Sequence, residues 1–451
     1  MQRYHFFLSL FFLASAFSWA QNPEHFLADQ LSSRAIEQHV YVLTSPEFEG
    51  RNNGTPGNAA ARQYLIQQME EYGIAPARAE GYEMPFSYLG TRGVNVFGWI
   101  PGSDPQLSKE YVLLSAHYDH LGIKQGVMYP GANDNACGCA VVLDISRVLS
   151  KNRSLLKRNV LISFFDAEED IMKGSLYYVA NPIVPLSQLA CVLDMDLIGR
   201  PLLDRFPQKF MVFGTEYSPV LRELASSVKS STSLEVQLSG TDLIGPRCDY
   251  FSFWIHQCPF IFLTRGQQKA YHQPYDIPET IDYSGLYQAA RFAISLAEKL
   301  TQHPERPQYG KAHYHIDEVK GVLEMVQELK QAEGQSEWIQ RFLQLGEGEL
   351  KKMIRSNKIR NRDRWLLRGL TAMLLTESYR QGLQKEAPKI GPSFEMLENA
   401  IDRELDQFLE EQGGFDNSVR EEGDEEATDN IQDLIKQFED AVDLSESEES
   451  K

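Results

Sequence analysis

The residues able to do chemistry in this chain come in five short clusters, each rich in histidine or carboxylate. Ala116-His117-Tyr118-Asp119-His120 is the first, and Pro130-Gly131-Ala132-Asn133-Asp134-Asn135-Ala136-Cys137-Gly138 is the second. Asp166-Ala167-Glu168-Glu169, Asp194-Met195-Asp196-Leu197-Ile198-Gly199-Arg200 and Tyr271-His272-Gln273-Pro274-Tyr275-Asp276 follow. Imidazole and carboxylate without thiolate suit zinc in a catalytic site, where one coordination position stays open. Two histidines and three carboxylates are enough for two such ions if one carboxylate is shared, and a pair of metals about 3.5 to 4 Å apart can polarise a carbonyl and activate water. A further glutamate could then carry the proton, and the adjacent Glu168 and Glu169 can divide the two tasks because neighbours at a strand end point in different directions. Any one cluster alone would be ordinary; the conjunction of all five carries the reading.

Each cluster needs an element to deliver it. Strands are expected at 95–100, 111–115, 160–165, 189–194, 210–213 and 260–263. Most of the clusters lie just beyond one of these strands, where open α/β sheets gather their ligands. His117 and Asp119 alternate onto one side, so Asp119 can orient His117. Helical spacing is expected at 136–150, at 219–229 behind Ser218-Pro219, at 283–300, and from Thr55-Pro56 to Gly73. The expected fold class is therefore α/β, a mixed and mostly parallel sheet sandwiched by helices, over residues 25–302. After His303-Pro304-Glu305-Arg306-Pro307 the composition turns to Glu, Lys, Gln, Leu and Met. This predicts a separate C-terminal helical extension over 310–412, then an acidic, largely disordered tail over 413–451 with one amphipathic stretch at 431–442. Trp338, Ile339, Phe342, Leu343, Trp365, Leu366, Leu370, Met373 and Leu374 could pack on the catalytic body or be buried in an oligomer.

At 451 residues with 42% hydrophobic content the chain is long enough to bury a large core. Met1–Ala20 has an apolar run from Phe6 to Phe17 and ends in Ser18-Trp19-Ala20, the pattern of a cleaved signal peptide. That predicts a secreted or periplasmic protein. The run is shorter than the roughly 20 residues a spanning helix needs. The best later candidate, 365–375, carries Arg368, so no integral membrane segment is expected after cleavage. A formal charge of −19, about two-thirds of it in 411–451, argues against nucleic acid as a partner. Five cysteines are too few for a disulfide framework in a chain this long, and Cys248 with Cys258 is the pair to consider for a bond.

These clusters, with Ser45-Pro46-Glu47-Phe48-Glu49-Gly50-Arg51 and Gly54-Thr55-Pro56-Gly57, resemble the co-catalytic di-zinc peptidases of the bacterial leucyl aminopeptidase and glutamate carboxypeptidase type, to which glutaminyl cyclase is related. The resemblance covers roughly residues 30–302. It implies two zinc ions per chain, with His117 and Asp196 on one, Glu169 and His272 on the other, Asp134 bridging, Glu168 as general base and Asp119 as the partner of His117. It also implies a cis peptide at Asp134-Asn135. Cys137, Asp194 and Tyr250 stand where the family commonly has Ser, Asn and His; Asp194 competes with Asp196, which keeps the family spacing to Gly199. Between Glu80 and Asn95 there is too little chain for the inserted protease-associated domain of many relatives.

The implied activity is a metallopeptidase, an exported aminopeptidase acting on N-terminal residues of peptides. The alternatives are a single-zinc cyclase-like acyltransferase, a carboxypeptidase clamping its substrate through Arg200, Arg247 or Arg265, or a binding protein on the peptidase fold. The last would lose ligands, and this chain keeps the full set. Tyr250, Phe253 and Tyr275 are expected to line an apolar substrate wall, favouring apolar N-terminal residues.

Overall fold

The structure is a computed structural model that describes residues 25–331, 337–360 and 363–371. The expected signal peptide, the acidic tail with its 431–442 stretch, and Met373 and Leu374 lie outside the described residues. The strands are β1 (Ala75–Pro76), β2 (Glu83–Tyr88), β3 (Thr91–Ile100), β4 (Tyr111–His117), β5 (Gly122–Lys124), β6 (Val127–Tyr129), β7 (Asn159–Phe165), β8 (Leu189–Met195), β9 (Lys209–Phe213), β10 (Glu235–Ser239) and β11 (Phe260–Thr264). The helices are α1 (Ser33–Leu43), α2 (Pro56–Glu71), α3 (Cys137–Lys151), α4 (Lys173–Ala180), α5 (Pro219–Ser227), α6 (Tyr250–Ile255), α7 (Tyr283–Gln302), α8 (Ile316–Lys330) and α9 (Glu337–Ser356), followed by a helical stretch over 363–371.

Nine strands form one sheet in the order β1-β3-β7-β4-β8-β11-β9-β10, with β2 paired to β3. The centre is parallel: β7, β4, β8 and β11 run the same way. The flanks are antiparallel, β3 on β7 and β9 on β11, with β10 returning parallel to β9. The fold is thus the expected mixed α/β sandwich. Strands β2 and β10 and helices α1, α4 and α6 add elements that the sequence pattern did not announce. The 83–100 stretch is a hairpin turning at Leu89-Gly90.

Alternation along the central strands builds two cores, because successive side chains face opposite sides of a sheet. Val112, Leu114 and Ala116 of β4 and Val160, Ile162 and Phe164 of β7 point to the core shared with α1, α2, α3, α5 and α7. Leu113, Leu161 and Phe165 point to the other, closed by α4 and α6 through Tyr178, Val179, Tyr250, Phe253 and Trp254. All are buried on both faces, as a central parallel sheet requires. Thr55 caps α2 by accepting from Asn58 N, with Pro56 in its first turn.

The extension packs on the body. Val319, Val322, Met325 and Val326 of α8, Phe342, Leu343 and Leu350 of α9, and Leu367 and Leu370 form a third core with Leu202, Leu203, Phe206 and Leu243 of the body. At its joint Arg364 bonds to Asp242 and Glu318, Arg368 adds a bond to Asp242, and the Glu318 carboxylate accepts from Gly240 N at 2.9 Å. The Arg364 guanidinium lies 3.8 Å from the centre of the Tyr314 ring. Trp365 is half exposed, and the side chains of Trp338 and Ile339 lie outside the described set. No described helix is long and apolar enough to cross a membrane.

Candidate functional site

Because β7, β4, β8 and β11 are parallel neighbours, their C-terminal ends open on one side, and that is where the five clusters meet. His117 closes β4 opposite Phe165 of β7, so Glu168 and Glu169 emerge beside it. Asp196 follows β8, and the loop after β11 brings His272. Asp134 arrives on the π-turn Ala132–Ala136 ahead of α3, with a cis peptide at Asp134-Asn135.

The Asp134 loop is held by bonds from several elements. The Asp276 carboxylate accepts from Asn133 N at 3.0 Å and Asp134 N at 3.1 Å, tying this loop to the one that carries His272. Asn135 donates to Met195 O at 2.8 Å, and Asn133 Oδ1 accepts from Gly199 N at 2.6 Å, tying it to the Asp196 loop. Arg51, 1% exposed, spends its guanidinium on four main-chain carbonyls: Leu43, Tyr118, Pro130 and Gly131. It thereby joins the His117 and Asp134 loops, and its charge faces Asp134, Asp119 and Asp276. Gly131 has φ 60°, and a Cβ there would come within 2.2 Å of Asp134 O and 2.5 Å of the His120 ring, so only glycine fits.

Within this frame the donor atoms fall into two groups that share Asp134. His117 Nε2 stands 3.3 Å from Asp134 Oδ1 and 3.5 Å from Asp196 Oδ1. His272 Nε2 stands 3.2 Å from Asp134 Oδ2 and 3.0 Å from Glu169 Oε2. Donors bound at about 2.0 Å around one tetrahedral zinc lie about 3.3 Å apart, and these spacings match. Among the described residues no hydrogen bond reaches His117 Nε2 or Asp134 Oδ2, although both are buried. Buried polar atoms are normally bonded, so atoms left open and aimed at a common point fit a cation. The residues present therefore suit a pair of zinc ions.

Asp119 does more than face His117. Its carboxylate accepts from Glu168 N at 3.0 Å and Glu169 N at 3.2 Å, fixing the turn that presents both glutamates. His117 Nδ1 lies 3.2 Å from the Asp119 main-chain oxygen and 3.6 Å from its carboxylate. Asp194 turns away: it accepts from Ser115 Oγ at 2.7 Å and Tyr250 N at 3.0 Å, leaving Asp196 to face His117. The two glutamates sit in opposite fields. Burial pushes Glu168 well above the ordinary carboxylate range, with Glu169, Asp249 and Asp196 adding to it and His117 opposing. For Glu169 burial acts the same way, but His272 and His120 overcome it and pull the group down to about 2.

Three of the sequence expectations need correction. Tyr250 and Phe253 are fully buried in the second core, where Tyr250 packs against Phe260 and Phe262, so neither can line a substrate wall. Their helix α6 spends its apolar face on the sheet. Tyr275 is 44% exposed and donates to Lys269 O. Arg265 is no substrate clamp, being buried and paired with Asp282 at 2.9 Å. Cys248 and Cys258 are not bonded; all five cysteines are buried free thiols. Cys248 instead lies with His117 and Asp196 as a set of potential ligand atoms within 4.8 Å of one another, so the cleft does contain a thiol. The sequence reading had also left His120, Arg51 and Asp276 without a site role. Each lies inside a quoted motif, but only long-range contacts show what it touches.

Fold and cleft together present two groups of imidazole and carboxylate donors that share Asp134. Residues 95–297 match the model of peptidase family M28. The chain is 26% identical over 232 residues to a probable zinc metalloprotease of Pyrenophora tritici-repentis (strain Pt-1C-BFP), covering 47% of this chain and 46% of that protein. It is 27% identical over 140 residues to a glutaminyl-peptide cyclotransferase of Boiga irregularis, covering 28% of this chain and 36% of that one. The chain thus spans about half, or less, of the curated relatives it matches. The crystal structure of the Legionella pneumophila LapA aminopeptidase superposes with a TM-score of 0.52 at 18% identity, over 64% of this chain and 76% of that one, which shows a shared fold.

Proposed function

We propose that the protein is a zinc-dependent aminopeptidase that removes N-terminal residues from peptides, with two zinc ions in the cleft. The observation that carries this reading is the division of Asp134, whose Oδ1 faces His117 and whose Oδ2 faces His272. His117 and Asp196 would hold one ion, Glu169 and His272 the other, and Asp134 both. Bound there, zinc supplies a Lewis acid that polarises the scissile carbonyl and makes water more acidic. Glu168 is 13% exposed, with its Oε2 3.9 Å from His117 Nε2, close to the ligand atoms but outside both groups. It takes the proton of the attacking water and delivers it to the leaving amine. Asp119 keeps Glu168 at that station through the main chain.

The proposed substrate class is peptides with a free amino terminus, and with Tyr250 and Phe253 in the core those two residues set no side-chain preference. Export is part of the proposal and rests on Met1–Ala20; N-terminal sequencing of the mature protein should begin at Gln21. The second reading is a single-zinc cyclase, supported by the cyclotransferase relative. Zinc per chain, measured with release of leucine from leucine p-nitroanilide and from an N-blocked peptide, separates them. Two zincs with cleavage of the free-amine substrate alone supports the aminopeptidase. One zinc with neither substrate cleaved favours the cyclase, and no zinc overturns both.

A further inference from the structure

His120 is the imidazole in the cleft to which the proposed ligand set gives no task. It is fully buried, and its main-chain N–H donates to Arg51 O at 3.3 Å. Its ring lies where a Cβ at Gly131 would collide with it, so the two loops are matched in shape at this point. Nδ1 sits 2.7 Å from Glu169 Oε1 and 3.8 Å from Asp134 Oδ2. The first distance is that of a hydrogen bond to an ionised acceptor, and is shorter than the roughly 3.3 Å that two donors on one tetrahedral zinc keep between them. Glu169 therefore uses its oxygens differently: Oε1 meets His120, and Oε2 meets His272 at 3.0 Å.

We propose that His120 is a positioning residue for Glu169: its Nδ1–H donates to Oε1 and turns Oε2 toward His272 and the zinc shared with Asp134. This rests on the zinc reading of the cleft. The last torsion of a glutamate is broad, so an unanchored carboxylate exchanges its two oxygens freely, and an ordered ligand needs something to stop that rotation. Among the described residues no hydrogen bond holds the carboxylate of Glu168, one residue earlier, whose Oε2 stands 3.9 Å from His117 Nε2, so it keeps the freedom a proton carrier uses. His120 thus joins His272 in making adjacent, chemically identical side chains unequal.

The test uses the full-length chain and its His120→Leu and His120→Asn variants, the second retaining an N–H close to the position of Nδ1. Zinc affinity is read by competition with a chromophoric chelator, and the wild type is also labelled with 15N-histidine. Loss of a group that orients a metal ligand typically weakens binding about 10- to 100-fold. One zinc of His120→Leu should weaken by that factor, while His120→Asn should stay within about threefold of wild type. In the zinc-loaded wild type, His120 Nδ1 should keep its proton. The nitrogen measurement stands even where the leucine variant fails to fold. Unchanged zinc affinity in His120→Leu, failure of asparagine to rescue, or a metal-bound shift at His120 Nδ1 would each overturn the proposal and leave the cleft as a zinc site. A wild type that takes up no zinc would overturn both.

Discussion

Two buried clusters of charge lie in this molecule, and they are built on opposite terms. At the joint of the helical extension, Arg364 meets Asp242 and Glu318, Arg368 supplements it, and the Gly240 N–H completes Glu318. In the cleft, Asp119, Asp134, Glu168, Glu169, Asp196 and Asp249 outnumber the imidazoles of His117, His120 and His272, and Arg51 is occupied by main-chain carbonyls. His117 Nε2 and Asp134 Oδ2 are left open there. A buried ionic network that completes itself is architecture. One that stops short by positive charge, with its open atoms converging, is a place for cations.

The sharpest way to break this comparison is in the cleft. Glu168→Gln should lower kcat by about 10²- to 10⁴-fold, since it deletes the proton acceptor and keeps the shape, with zinc content unchanged by atomic absorption. A variant of full activity would show that the two glutamates do not divide the work as proposed. Asp134→Ala should take zinc from the proposed two ions per chain to almost none, because both groups of donors lose their common member; retention of either ion would mean the groups are independent.

At the joint the currency is stability. Arg364→Ala leaves Glu318 with the Gly240 N–H and Asp242 with Arg368, although their side chains are only 2% and 8% exposed. Breaking a buried pair by removing one partner costs about 3–5 kcal/mol, to be read as a lower urea midpoint with zinc content unaffected. Loss of zinc in that variant would mean that the joint also shapes the cleft.

The smallest effect is a pH dependence in the same region. Glu216 accepts from Thr241 N at 2.6 Å and Gly214 N at 3.0 Å, and burial raises it to about 7, with Asp242 adding to the shift. Its folded value lies above its unfolded one, so its protonated form stabilises the fold below about pH 4.5. That contribution is lost as pH rises through 7, by at most about 3 kcal/mol. Unfolding curves at pH 5 and pH 8 should show the decline, and Glu216→Gln should flatten it.

Much of this was legible in the chain because it is local. The short apolar runs at 111–115 and 160–165 announce buried strands, Thr55-Pro56 announces a helix start, and the placing of His117, Glu168, Glu169 and Asp196 after strands and of Asp134 and His272 in loops marks them as candidates before any contact is known. Tyr250 and Phe253 misled for a physical reason: aromatics after a strand look the same whether they wall a pocket or cover a sheet, and α6 is only six residues long. Residues such as Arg51 and Asp276 carry no such signal, since carbonyls from four separate positions, or two amides 142 and 143 residues away, define their roles.

The sequence by itself therefore determined the central strands, the mixed α/β class and the supply of imidazoles and carboxylates near their ends, because apolar runs and capping act over a few residues. Only the tertiary structure decided which oxygen of Asp134 faces which histidine, that Asp194 is spent on Ser115 and Tyr250, that Cys248 enters the cleft and that His120 reaches Glu169. Those outcomes depend on distances between loops remote in sequence, and such distances are set by the packing of the two cores on either side of the sheet.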